Sequence, residues 1–84
     1  MTLAIPTIHL NGTSRAELVK QVEDAAHAVQ AAIRAVEQAC PNGRDYYPQG
    51  SDAIQEALRQ QANRLHNLTA VNRELCEIWE AISD

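Results

Sequence analysis

The sequence predicts an all-α fold: an antiparallel helical hairpin with a short extended N-terminal segment, dimerising into a four-helix bundle. Three observations carry that prediction. Apolar residues recur at alternating three- and four-residue steps from Val19 to Cys40. A second such series runs from Ile54 to Ile82. Between them, "CPNGRDYYPQG" at 40–50 gathers two of the three prolines and two of the three glycines. The 84 residues are read as one domain, 1–84. Its parts are an extended segment at 1–13, helix one at 14–40, a loop at 41–51 and helix two at 52–82.

The first element, "MTLAIPTIHL", has no positively charged leader and is interrupted by Pro6. It therefore reads as neither a signal peptide nor a membrane span, and a cytoplasmic location is expected. Asn11-Gly12 is a turn signature, since both residues tolerate positive φ. Ser14 with Glu17 three positions on forms a capping box that opens helix one. Its seam is Val19, Val22, Ala26, Val29, Ile33, Val36 and Cys40, with Ala25, Ala32 and Ala39 beside it. Such spacing suits a helix packed nearly antiparallel to another. Pro41 stops it, because the residue before a proline resists helical geometry.

Ser51 or Asp52 begins helix two, whose seam reads Ile54, Leu58, Gln61, Leu65, Leu68, Asn72, Leu75, Trp79 and Ile82. At a rise of about 1.5 Å per residue the helices span roughly 40 and 45 Å. A symmetric hairpin places Trp79 near Thr13, Cys76 near Ala16, and His27 opposite His66 on the outer side. Gln61 and Asn72 interrupt the apolar seam, where polar residues fix register or oligomeric state, or else mark a wet edge. Two helices alone leave Ala57, Val71, Cys76 and Ile78 uncovered. A homodimer or higher oligomer covers them, and symmetric dimers are the commonest assembly.

Composition narrows function mainly by exclusion. A net charge of −4 argues against general DNA or RNA binding, which needs a basic face. Cys40 and Cys76 have no metal or disulfide spacing, and the two histidines are read as solvated. Neither a metal nor a cofactor is implied. No Ser/His/Asp or Cys/His group assembles, and Cys40 at a helix C-terminus sits where a thiolate is disfavoured. A non-enzyme is expected.

Two polar clusters remain. Asn11, Gly12, Thr13 and Ser14 offer amides and hydroxyls at a helix start, a setting that favours anions. Arg44, Asp45, Tyr46 and Tyr47 add a guanidinium, a carboxylate and two rings, more than a turn requires. Arginine grips phosphate, and aromatic rings stack on bases. These eight are the candidate ligand-binding residues, for a small anionic or nucleotide ligand. In one hairpin the clusters lie at opposite ends; in an antiparallel dimer they would meet in two equivalent sites. The plainer alternative has the tyrosines capping the hairpin core, Arg44 pairing with Asp45, and the rest serving as turn residues.

With "IHLNGTS" before one helix and "PNGRDYYPQG" between two, the chain resembles short helical proteins encoded by tailed phages and prophages. The resemblance covers nearly the full length. It implies an accessory phage protein in the bacterial host cytoplasm, without an established activity to transfer. In that setting the residues suit a sponge for a nucleotide second messenger. The alternative is an interaction module that inhibits a host or defence protein, or a minor structural or assembly factor.

Overall fold

The computed structural model describes residues 2–83, so the two terminal residues of the expected 1–84 domain lie outside it. Two helices, α1 (Arg15–Gln38) and α2 (Ala53–Ile82), pack antiparallel, and no strand occurs among the described residues. Ser14 is the N-cap of α1, its hydroxyl accepting from the Glu17 amide at 3.2 Å. Asp52 precedes α2 without a side-chain capping bond. The first turns of α2 are instead tied by Arg59, which gives two hydrogen bonds to Glu56 at 2.9 and 2.6 Å.

Each helix has a C-terminal carbonyl bonded by a side chain of the other. The last carbonyls of a helix lack the regular i→i+4 partners, and the Val36 carbonyl also accepts from the Ala39 amide at 3.0 Å. Gln61, on α2, donates to the Val36 carbonyl near the end of α1, and Arg15, on α1, donates to the Ile82 carbonyl at the end of α2. The arginine also places positive charge where the α2 dipole is negative. Gln61 is only 6% exposed, and its carbonyl oxygen accepts from Arg64. Asn72 accepts from Gln30 at 3.3 Å. Both polar interruptions of the seam therefore hydrogen-bond across or along the hairpin, and they fix its internal register.

That register differs from the symmetric one. Trp79 lies against Glu23 rather than Thr13, its indole donating to the carboxylate at 3.0 Å. Cys76 lines a groove with Ala26 and His27 rather than approaching Ala16. His27 and His66 are both exposed. The reason lies in the connection. Residues Gly43–Asp45 and Tyr47–Gln49 form two 3-10 turns, and the second packs on α2. The loop climbs the first turns of α2, so α1 ends below the level at which α2 begins.

Turn chemistry also differs at one glycine. Among the described residues no non-glycine has positive φ, and among the glycines only Gly50 does, at φ 108°. Gly12 is suited to its place by close approach instead: a Cβ there would lie 2.7 Å from the His9 imidazole.

The hairpin leaves much of its apolar surface open. Ala26, Ala57 and Ile82 are the buried apolar residues described. The chain is 61 Å long, with a radius of gyration of 18.3 Å, against roughly 12 Å for a compact domain of this length. Its accessible surface is 6296 Å², against roughly 5,000 Å² for a compact monomer of this mass. No helix among the described residues is long and apolar enough to cross a membrane.

Candidate functional site

Chemistry-bearing side chains gather at the two ends of the hairpin. At one end, the chain turns through a 3.2 Å bond from the Gly12 amide to the His9 carbonyl and then enters α1. Asn11, Gly12, Thr13 and Ser14 are all exposed there. The capping bond occupies the Glu17 amide and an acceptor position of the Ser14 hydroxyl. Leu10, at its tip, is 98% exposed. His9 belongs to the same turn by its position over Gly12, a placement that residue spacing does not signal.

At the other end, the Asn42 side chain accepts from the Arg44 amide at 3.0 Å and starts the first 3-10 turn. The Asp45 and Tyr46 amides then bond back to Asn42 and Gly43, each at 3.0 Å. The second turn closes through Gln49 to Tyr46 at 2.9 Å and Gly50 to Tyr47 at 3.2 Å. This backbone separates the two tyrosines. Tyr46 is half-buried, whereas Tyr47 is 76% exposed. Arg44 and Asp45 are exposed, and no ion pair between them occurs among the described residues. The loop thus presents a guanidinium, a carboxylate and one accessible ring, with Tyr46 turned partly inward.

Within one chain these clusters stay at opposite ends of a 61 Å molecule. A third feature lies between them. An open groove of about 320 Å³ runs between the helices, lined by Glu23, Ala26, His27, Gln30, Cys76 and Trp79. Residue spacing missed it, because its position depends on the shifted register. Cys76 is half-buried, Cys40 is exposed, and both are free thiols. Among the described residues no cluster of three or more His, Cys, Asp or Glu side chains is arranged to hold a metal ion. Comparison with protein-family models, with curated proteins and with solved structures finds no match.

Proposed function

We propose that this protein is a non-enzymatic, phage-type accessory protein that binds and sequesters a small anionic, nucleotide-type signalling ligand in the bacterial cytoplasm. Arg44 holds phosphate and Tyr47 stacks on a base, with Tyr46 bracing the loop from beneath. Asp45 accepts hydrogen bonds from ring or sugar donors. Asn11, Gly12, Thr13 and Ser14 of a second copy complete the site, so an antiparallel dimer carries two of them.

One observation supports this reading above the others: the loop holds a solvent-facing guanidinium and an exposed ring on consecutive hydrogen-bonded turns. Such side chains on a braced backbone lose little freedom on binding, which keeps the ordering cost low. Nothing in the proposal requires turnover, since sequestration needs only affinity and abundance. Arg44→Ala is expected to abolish nucleotide binding, read by titration calorimetry against linear and cyclic nucleotides, with the circular dichroism unchanged. Unaltered binding by that variant removes Arg44 from the site.

The apolar surface left open along the hairpin favours one alternative: an interaction module that inhibits a host or defence protein. Recovery of a single stoichiometric host protein, with no affinity for any nucleotide tested, would select it. A minor structural or assembly role would instead give large assemblies in sizing experiments.

A further inference from the structure

On α2, Leu58, Leu65, Asn72 and Trp79 follow one another at seven-residue intervals, with Cys76 beside them. Seven residues are nearly two helical turns, so this spacing holds one line along a helix that packs at a shallow angle to another. No charged side chain interrupts that line, although α2 carries Glu56, Arg59, Arg64, Arg73, Glu74, Glu77 and Glu80 elsewhere. Leu58 is 39% and Trp79 38% exposed, so the two ends of the line are the parts most open to solvent. The groove lined by Glu23, Ala26 and Gln30 of α1 runs beside the Cys76 and Trp79 end.

We propose that this stripe is where a second copy of the chain docks, α2 against α2 in antiparallel sense about a two-fold axis near Leu68 and Thr69. The pairing is self-complementary. Leu58 of one copy lies beside the exposed edge of Trp79 of the other, and each contact recurs through the axis; Asn72 and Trp79 keep their bonds to Gln30 and Glu23 of their own α1. An isologous interface has this form.

Area supports a second copy as the occupant. The chain exposes roughly 1,300 Å² more than a compact monomer of its mass, from the 6296 Å² observed. A standard interface takes about 800 Å² from each partner. The excess is therefore enough for a stable dimer, and a symmetric one uses it on both chains at once.

The antiparallel sense rests on the composite-site reading above, and the axis that follows from it is compatible with that site. An axis near residue 68 sets the start of α2 in one copy beside the end of α2 in the other. The Arg44–Tyr47 loop then comes to the same end as the other copy's Asn11–Ser14 turn. The two most exposed large apolar residues, Leu10 and Tyr47, are thereby brought to the same end, Leu10 next to the turn and Tyr47 in the loop.

Sedimentation without nucleotide tests the interface separately from ligand binding. The wild-type chain is expected at twice its 9.3 kDa mass. Leu58→Glu is expected at the single-chain mass with its helical circular dichroism retained. A wild-type chain that sediments alone would hand the stripe to a different protein and overturn the proposal, as would a Leu58→Glu chain that stays paired.

If Leu58→Glu loses its helices, cross-linking decides. In a Cys40→Ser, Cys76→Ser background, mixing Leu58→Cys with Trp79→Cys chains should give an interchain disulfide. Gln60→Cys, two positions on and about 200° round the helix from Leu58, should give none with Trp79→Cys. The reverse pattern, or self-linked Leu58→Cys chains in place of the mixed link, would contradict the pairing. Arg44→Ala should leave the mass and the cross-link unchanged, so a failure of nucleotide binding remains distinct from a failure of the interface.

Discussion

Gln61 carries more of the hairpin than its polar side chain suggests. Its amide is nearly buried, donates to the Val36 carbonyl near the end of α1, and accepts from Arg64. Gln61→Ala removes both bonds from a buried position, so about 1–3 kcal/mol of stability should be lost, measurable by urea unfolding. A change near zero would mean that water replaces the amide without loss. The presence of a polar residue at 61 was legible in the sequence as a break in an apolar seam. Its partner was not, because a backbone carbonyl has no residue type to recognise. Gly12 teaches a related point. A turn at Asn11-Gly12 could be read from composition, but the close His9 ring that favours glycine there could not.

Among the elements, the first turns of α2 answer most directly to pH. Hydrogen bonds from Arg59, and then from Gln60, bring the Glu56 carboxyl from its ordinary 4.5 down to about 2. A carboxylate whose folded value is depressed stabilises the fold fully above its unfolded value and loses that contribution as pH falls through the folded one. Helicity of this segment should therefore decline between pH 4.5 and about 2, followed by circular dichroism. Both side chains are exposed, so the decline should be modest. Glu56→Gln should flatten it, and an equal decline in that variant would assign it to other carboxylates. Both helices were legible from periodicity, the Ser14 cap and Pro41. The register between them was not, since the loop's two 3-10 turns decide how far it climbs α2 and no periodic signal encodes that.

At the scale of the whole molecule, the chain is an elongated hairpin with open apolar faces and polar clusters at its two ends, and the proposed sites need two such chains. Arg44, Asp45, Tyr46 and Tyr47 stood out in the sequence because a turn does not need them, whereas Asn11–Ser14 stood out as a turn and cap at a helix start. Their separation within one chain followed from the hairpin itself. What residue types could not say was which tyrosine is accessible, and that followed from turns placing Tyr46 inward and Tyr47 outward. The central claim is that two copies build the binding sites together. Native mass spectrometry of the purified chain with a panel of linear and cyclic nucleotides tests it most directly. A dimer that takes up to two equivalents of one nucleotide class is expected, and an Arg44→Ala dimer that takes none. A monomer that binds nucleotide alone, or a dimer that binds none of the panel, would contradict it.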